Sequence, residues 1–225
     1  MIYIDVSAAV HSRAGLGRYS ESLATALLAE HPEAYALFYN QGADGRFPTS
    51  LPENVPLKSV SLGYKPWRMA VLMAQKNHVS FKRLVPDATL FHSTEHLLFP
   101  LRQTPAVLTV HDLIFKLYPD YHKRLNLWYL NQAMPLYCER ARAIIAVSEA
   151  TKKDIVANDG TDPAKIHVVY EAAAEHFGPQ TLQKIEEVRR KYKLPGRFLI
   201  HLSTIEPRKN LDRLLDALLA MRQVH

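Results

Sequence analysis

Residues 106–113 read AVLTVHDL and residues 143–148 read AIIAVS, and these two stretches decide the fold. Each is a short apolar run that ends in polar side chains, which is typical of a buried strand in a parallel sheet. The segment between them, about residues 123–140, is predicted to be a helix. A strand, a helix and a second strand in this order predict a parallel βαβ unit.

The same alternation extends along most of the chain. Further strands are predicted at residues 1–8, 34–39, 55–62, 89–91 and 166–170, and further helices at residues 18–30, 65–84 and 149–158, the last capped by Ser148. Short apolar strands that alternate with helices indicate an α/β doubly wound parallel sheet covered on both faces.

The pattern predicts a long first domain and a short remainder. We expect the first domain to span residues 1–175, a linker helix to span 176–197, and the remainder to span 198–225. That remainder contains one predicted strand, residues 198–202, and one predicted helix, residues 211–223. Because one βα unit cannot cover its own apolar faces, we expect a truncated second Rossmann-like domain that needs a missing C-terminal half or a partner chain.

Composition indicates an ordinary globular protein. Of 225 residues, 48% are hydrophobic and 22% are charged, far from the balance of disordered chains. The apolar runs are too short to cross a bilayer, and no basic-then-apolar leader follows Met1. A single cysteine, Cys138, excludes an intrachain disulfide framework and a cysteine-based zinc cluster, so a cytoplasmic setting is expected.

The net charge of +6 comes mostly from the C-terminal part, because residues 179–225 hold 10 basic and 5 acidic side chains. Aromatic residues are not interleaved with this basic stretch, which argues against nucleic-acid binding. An anionic small molecule or a membrane surface fits better. In the predicted helix 65–84, Trp67 and Phe81 share an apolar stripe with basic residues nearby, which predicts peripheral membrane contact. An ordinary helix packed on the sheet remains the alternative.

A first candidate site lies between the first strand and the following helix. Gly15 and Gly17 would let the backbone approach a ligand, and the helix N-terminus beside Arg18 favours an anion. A tight turn with no ligand is the alternative. The third glycine of a dinucleotide fingerprint is missing, which argues against NAD binding.

A second candidate site is His111 and Asp112, which follow a buried strand. Doubly wound folds place ligands at the carboxyl ends of their strands; alternatively, the histidine merely caps the strand end. A metal site formed by His92, His96 and His111 is not favoured, because no acidic or cysteine partner has ligand spacing. No metal or cofactor is predicted.

A third candidate site is residues 202–211, LSTIEPRKNL. Arg208 and Lys209 precede a predicted helix, an arrangement that suits a pyrophosphate. Pro207 and Asn210 fit a structured loop and a helix cap. A solvated loop with incidental charges is the alternative.

Together these segments resemble glycosyltransferase family 4, whose members have the two-domain GT-B architecture and transfer a sugar from a nucleotide-sugar donor with retention of configuration. The resemblance rests on five segments in the family's order: residues 15–19 (GLGRY), 107–113 (VLTVHDL), 144–155 (IIAVSEATKKDI), 165–170 (KIHVVY) and 202–211.

The resemblance implies roles for particular residues. Gly15 and Gly17 would lie near the donor phosphates or the transferred sugar, and His111 would approach that sugar. Arg208 and above all Lys209 would neutralise the diphosphate leaving group in place of a metal. The predicted catalytic residues are therefore His111, Lys209 and Arg208, and the predicted substrate-binding residues are Gly15, Gly17, Arg18, Asp112, Ser148, Thr204 and Glu206.

The chain departs from the family pattern in two places. Many relatives have Gly-Arg where this chain has Ser203 and Thr204, and the family's two glutamates spaced eight residues apart would lie downstream of residue 225. We expect a mannosyltransferase-like hexosyltransferase of polysaccharide biosynthesis that uses a glycan or glycolipid acceptor at the inner face of the membrane. A catalytically silent half that binds an acceptor or partner is the alternative, and a nucleotide-sugar epimerase is a third hypothesis.

Overall fold

The computed structural model describes residues 1–42, 45–52, 54–174 and 177–222. Its strands are β1 (Ile2–Asp5), β2 (Tyr35–Asn40), β3 (Leu57–Val60), β4 (Leu90–Ser93), β5 (Ala106–Val110), β6 (Ala143–Ala146) and β7 (Ile166–Val168). They form one seven-stranded sheet in the order β3-β2-β1-β4-β5-β6-β7, and every pairing is parallel. The predicted doubly wound parallel sheet is confirmed.

In the described residues, six helices lie between strands of the chain and flank the sheet, and two more follow β7. They are α1 (Ser7–Val10), α2 (Ala14–Glu30), α3 (Tyr64–Lys76), α4 (Ile114–Leu117), α5 (Arg124–Arg140), α6 (Glu149–Asp159), α7 (Leu182–Tyr192) and α8 (Leu211–Arg222). Short 3₁₀ turns lie at Lys82–Leu84, Pro119–Tyr121, Pro163–Lys165 and Pro207–Lys209.

Strand order reverses beside β1. The chain runs outward from β1 to β3 and then returns to place β4 on the other side of β1, where Ile4 pairs with both Leu37 and His92. Crevices at such reversals, outside the carboxyl ends of the strands, are where open α/β sheets bind ligands. The fold therefore places a ligand crevice near the ends of β1 and β4.

Aromatic rings fill the larger of two apolar layers. Phe99 stacks on Phe91 with ring centroids 4.3 Å apart and meets Phe38 edge-on at 4.8 Å. On the other layer, Ile4 and Leu37 pack with α2. Since successive residues of a strand face opposite sides, both faces of the central strands are buried, and most of their side chains are apolar.

The chain divides into two compact units, Met1–Ala172 and Ala173–His225, called here the first unit and the second unit. The sheet belongs to the first unit. The boundary expected at Glu175 lies outside the described residues. Residues 198–202 form no strand, so that prediction is wrong. Leu202 is 95% exposed. An apolar segment with no neighbouring strand to form backbone hydrogen bonds with is not stabilised in the extended conformation.

Several predicted elements end earlier than expected. The first strand stops at Asp5 and a short helix follows, and β7 stops at Val168. Helix α3 ends at Lys76 because the chain reverses through His78, which has a positive φ of 55°. The last predicted helix, residues 211–223, is described only to Arg222.

The predicted membrane stripe on residues 65–84 faces the interior. Trp67 is 2% exposed, and its ring lies 5.6 Å from that of Phe81, which is half-buried. Membrane contact through these two residues is therefore wrong, and the alternative, a helix packed on the sheet, is correct. In the described part of the chain, no helix is both long and apolar enough to cross a membrane.

Candidate functional site

Polar side chains of the first unit gather at the carboxyl edge of the sheet. Residues 94–96 follow β4, His111 and Asp112 follow β5, Ser148 follows β6 by two residues, and Glu171 lies shortly after β7. Parallel strands bring these ends to one edge. The structure thus places three of the predicted site residues, from distant points in the sequence, along one side of the sheet.

His111 is held by oxygen atoms at both ring nitrogens. Nε2 lies 2.9 Å from the backbone carbonyl oxygen of Thr94, and Nδ1 lies 3.0 Å from Oε1 of Glu171. Thr94 and Glu171 therefore hold the ring from two sides, and each ring nitrogen has an oxygen partner.

Packing fixes the orientation of the His111 ring. The ring of Tyr19 meets it edge-on at a centroid distance of 4.8 Å, and only 11% of the His111 side chain is exposed. Tyr19 also lies within hydrogen-bond distance of Thr109, at 3.3 Å between the two hydroxyl oxygens. Helix α2, which carries the predicted glycines, is thus tied directly to the histidine.

The other two histidines of this region are neutral and structural. Burial lowers the pKa of His96 to about 4, although the nearby carboxylate of Asp112 acts in the opposite direction. His96 Nε2 accepts the backbone N–H of His111 at 3.3 Å. Burial also lowers the pKa of His92 to about 4, and its Nε2 pairs with the Thr109 hydroxyl at 2.9 Å. Among the described residues, no group of His, Cys, Asp and Glu side chains is arranged to hold a metal ion.

The side chains of Asp112 and Ser148 each accept a backbone hydrogen bond at the carboxyl edge of the sheet. Oδ1 of Asp112 accepts the backbone N–H of Ile114 at 3.1 Å, which starts α4. Oγ of Ser148 accepts the backbone N–H of Thr151 at 3.0 Å, so the predicted N-cap of α6 is confirmed. A role for either residue in substrate binding stays a prediction.

The two predicted glycines lie within the first turns of α2 and differ in their surroundings. A Cβ on Gly17 would lie 2.9 Å from the carbonyl oxygen of Ala8, so this glycine allows α2 to pack closely on α1. A Cβ on Gly15 would meet nothing within 4 Å, and Gly15 is exposed. Gly15 is therefore accessible to a ligand, whereas Gly17 serves helix packing. Arg18 is exposed, with Nη1 3.8 Å from Oε2 of Glu21.

Sequence reasoning missed a charged network at the strand reversal. The guanidinium of Arg13 pairs with the buried carboxylate of Glu95 and donates to the hydroxyl of Tyr64. The same guanidinium lies 4.8 Å from the centre of the Tyr64 ring, and that of Arg68 lies 5.3 Å from it. Nothing in the local sequence joins these residues, since β4, α2 and α3 are brought together only by the sheet order.

Asp5 adds a titratable group to this network. Its Oδ1 accepts the backbone N–H of Ser7 at 2.9 Å. Burial, and secondly the charge of Glu95, raises the pKa of Asp5 to about 7. In the sequence, this buried carboxyl at the end of a central strand is visible only as a polar residue that interrupts the apolar pattern of the motif YIDVS.

The second unit carries the remaining predicted residues. Arg208 and Lys209 lie on the 3₁₀ turn Pro207–Lys209, and Arg208 forms an ion pair with Glu206. Lys209 and Thr204 are exposed. Helix α8 begins directly afterwards, and Asn210 at the junction has a left-handed φ of 54°. Lys209 is therefore open to an anion, whereas the Arg208 charge is already engaged by Glu206.

The fold and its polar edge define a class: doubly wound α/β proteins whose ligand crevice lies at the carboxyl ends of parallel strands. A family model described as Glycosyltransferase Family 4 matches residues 13–173. The chain belongs to glycosyltransferase family 4, and the resemblance seen in its sequence is confirmed.

Curated relatives and solved structures agree with this placement. The chain is 27% identical over 217 residues to O-antigen chain mannosyltransferase B of Escherichia coli, a match that covers 90% of this chain and 55% of that protein. It is 28% identical over 116 residues to the serotype-specific mannosyltransferase WbdA of Escherichia coli, covering 49% of this chain and 14% of that protein.

Among solved structures, Anabaena Alr3699/HepE in complex with UDP and glucose matches with a TM-score of 0.60 and 18% identity. That match covers 96% of this chain and 57% of the other. The crystal structure of the same protein with UDP-glucose gives a TM-score of 0.60 as well. These likenesses establish the GT-B type of fold, and this chain spans little more than half the length of these proteins.

Proposed function

We propose that this chain is the acceptor-side domain and the beginning of the donor-binding domain of a retaining hexosyltransferase. The donor would be a nucleotide sugar and the acceptor a glycan or glycolipid of a polysaccharide pathway. Membership of glycosyltransferase family 4 supports the reaction class, and the names of the Escherichia coli relatives favour mannose as the sugar. The observation that carries the proposal is the clamped His111 at the carboxyl edge of the sheet.

His111 would lie beside the reacting sugar, near the place where a diphosphate leaving group gains negative charge. Oxygen partners at both ring nitrogens hold the ring in one orientation. Glu171 and the Thr94 carbonyl position the ring before substrate arrives, so no reorganisation is needed during the reaction. The first turn of α2, with the accessible Gly15, would offer the partial positive charge of a helix N-terminus to the same anion.

Lys209, in the second unit, would bind a diphosphate group. It is exposed and lies one residue before the junction with α8. Arg208 would help only by sharing its guanidinium between Glu206 and the phosphate, so its contribution should be the smaller. Two protein cations and a helix N-terminus can neutralise a diphosphate without a metal ion.

The proposal is tested by a donor screen with the full-length gene product. GDP-mannose, UDP-glucose and other nucleotide sugars are incubated with acceptor glycans, and products are identified by mass spectrometry. Lys209→Ala should lower kcat about 100-fold and change acceptor KM much less, because its contact strengthens as charge develops. Lys184→Ala, an exposed lysine of the same unit, is the control. No sugar transfer from any donor, or an unchanged kcat in Lys209→Ala, would contradict the assignment.

The alternative, a catalytically silent half that binds an acceptor or partner, is separated by testing the 225-residue chain alone. We expect it to turn over no nucleotide sugar, because the family's glutamate pair is not among its residues. Calorimetric titration with UDP-, GDP- and ADP-sugars and a product assay are the measurements. Tight donor binding with sustained transfer by this chain would place the active site elsewhere than we propose.

A further inference from the structure

A cavity of about 590 Å³ lies in the first unit at the edge of the sheet opposite the carboxyl ends of the strands. Its wall includes the end of α5, the segment before β5 and the residue before β6. Ala106, the first residue of β5, lines the cavity, whereas His111 follows the last residue of that strand. At about 3.3 Å per residue, the two positions lie about 17 Å apart. The cavity, called here the amino-edge cavity, is therefore separate from the crevice that holds His111.

Charge of a single sign lines the amino-edge cavity. Among the described residues, its wall holds four basic side chains and no acidic one. The basic residues are Arg102, Arg140, Arg142 and Lys165. A concave surface lined by one sign of charge concentrates the field and raises the local concentration of counter-ions. The cavity therefore favours an anionic ligand.

Two of these cations are held in place by neutral oxygen atoms. Nη1 of Arg140 donates to Oε1 of Gln75 at 3.0 Å and to the backbone carbonyl oxygen of the same residue. Nζ of Lys165 donates to the last carbonyl oxygens of α5, at 3.0 Å for Cys138 and 2.7 Å for Glu139. Within the described part of the chain, no carboxylate forms an ion pair with Arg140 or Lys165. Both positions are thus fixed while their charge stays unneutralised.

The other two cations are available to a ligand. Arg102 and Arg142 are exposed, and their guanidinium groups form neither a hydrogen bond nor an ion pair with any residue that the structure describes. The backbone N–H of Arg142 donates to the carbonyl oxygen of Ala106 at 2.8 Å, which fixes residue 142 beside the start of β5. A planar guanidinium can bind a phosphate group through two parallel N–H···O bonds. Arg102 and Arg142 therefore have the chemistry to bind a phosphate group in this cavity.

We propose that the amino-edge cavity binds a small phosphorylated molecule through Arg102 and Arg142, with Arg140 as a fixed third cation. Its volume of about 590 Å³ lies within the range of small-molecule sites, about 300–1,000 Å³, and suits a nucleoside phosphate or a sugar phosphate. A nucleic acid is not favoured, because the aromatic residue of the wall, Phe99, is buried and cannot stack on a base. The site is independent of the proposed sugar transfer.

Calorimetric titration of the 225-residue chain with pyrophosphate tests the proposal. We expect binding that Arg102→Gln with Arg142→Gln weakens about 30-fold or more, because two charge-assisted contacts are lost. Arg124→Gln with Arg190→Gln removes two exposed arginines outside the cavity and should retain most of the binding. No binding to the parent chain, or equal losses in the two double variants, would overturn the proposal.

Two further measurements separate this site from the candidate phosphate site at Lys209. Lys209→Ala should leave most of the pyrophosphate binding in place, and its loss there with retention in the Arg102 and Arg142 variant would contradict the proposal. Pyrophosphate should also shift the backbone NMR signals of residues 101–106 and of Arg142, and leave those of residues 111–113 unchanged. Shifts confined to residues 15–17 or 204–210 would place the anion at another site.

Competition and thermal unfolding complete the test. ADP and glucose 1-phosphate should each displace pyrophosphate, and the tighter competitor identifies the source of the phosphate group. Pyrophosphate should raise the unfolding temperature of the parent chain but not that of the Arg102 and Arg142 variant. Without ligand the two chains should unfold at similar temperatures, because neither guanidinium has a partner within the described residues. A single-stranded oligonucleotide that binds far more tightly than either small molecule, and loses binding in this variant, would overturn the proposal.

Discussion

Apolar segments of similar composition are buried as strands in the first unit and exposed without a strand in the second unit. In the first unit, β5 and β6 are short apolar strands that pair with each other and are mostly buried. In the second unit, residues 198–202 have a comparable apolar composition but form no strand and are exposed throughout. An apolar segment therefore becomes a strand only where neighbouring strands and a covering helix are present.

The units also differ in how they hold charge. In the first unit, Lys116 forms an ion pair with Asp159, whose side chain is fully buried. In the second unit, Lys184 and Glu187 form an ion pair at 3.0 Å with both side chains more than half exposed. Removing one partner of a buried ion pair destabilises the fold, because an unpaired charge remains in the low-dielectric interior. Removing one partner of an exposed pair costs little, because water solvates the remaining charge.

Replacing a phenylalanine by alanine should give the largest difference between the two units in the free energy of unfolding. Phe99→Ala should lower the free energy of unfolding by about 3 to 5 kcal/mol, because Phe99 is buried among Phe38 and Phe91. Phe198→Ala in the second unit should change it by less than about 0.5 kcal/mol. Urea unfolding followed by circular dichroism measures both. Equal effects would mean that residues near Phe198 are packed as firmly as the sheet.

Breaking the ion pairs should give the next largest contrast. Lys116→Met leaves the buried Asp159 without its cation and should lower the free energy of unfolding by about 3 kcal/mol. Lys184→Met, the matched substitution in the second unit, should lower it by less than about 0.5 kcal/mol. Chemical denaturation at neutral pH is the measurement, and a near-neutral Lys116→Met would show that Asp159 finds another partner.

Asp5 should make the stability of the first unit depend on pH. Its pKa rises on folding from 3.8 to about 7, so the stability contributed by the protonated form is present below pH 4 and is lost as the pH rises through 7. Asp5→Asn should thus be more stable than the parent at pH 8, by about 2 to 4 kcal/mol, and similar to it at pH 4.

The pH comparison must be made between variant and parent. Burial lowers the pKa values of His92 and His96 to about 4, so these residues remove stability as the pH falls from 6.5 toward 4, opposite to Asp5. Asp212→Asn, at an exposed position of α8, is the control and should leave the profile unchanged. A constant difference between Asp5→Asn and the parent from pH 4 to 8 would contradict the assignment.

The smallest contrast concerns helix caps. Ser148→Ala removes the oxygen that accepts the Thr151 N–H and should lower the free energy of unfolding by about 1 kcal/mol. Thr181→Ala removes the corresponding cap of α7, whose Oγ1 accepts the Lys184 N–H at 3.3 Å. It should reduce helix content without moving the main denaturation midpoint. A shift of that midpoint in Thr181→Ala would show that α7 unfolds together with the sheet.

Most of the first unit was predictable because its signals are local. The apolar segments before His111 and Ser148 indicate buried strands, and Ser148 was identified as a helix cap from its position before α6. The ends of α3 and β7 were not predictable, because the reversal at His78 and the length of a strand depend on neighbours distant in sequence. The strand expected at residues 198–202 failed for the same reason.

The candidate site was only partly predictable. His111 follows a strand, so its place at the carboxyl edge could be inferred, but its partners Glu171 and Thr94 come from other strand ends. The pair of Arg13 and Glu95 joins residues 82 positions apart, which no local motif reveals. Gly17 looked like a ligand-binding glycine, whereas its contact with Ala8 shows that it serves helix packing.

Residue-resolved hydrogen exchange on the 225-residue chain tests the central claim most directly: the first unit folds around its own sheet, whereas residues 198–205 of the second unit form no strand. We predict strong protection of amides in β1, β4, β5 and β6, and exchange of residues 198–205 close to the unprotected rate. Protection of residues 198–205 comparable to that of β5 would contradict the account, because it would show that the second unit already holds a formed strand.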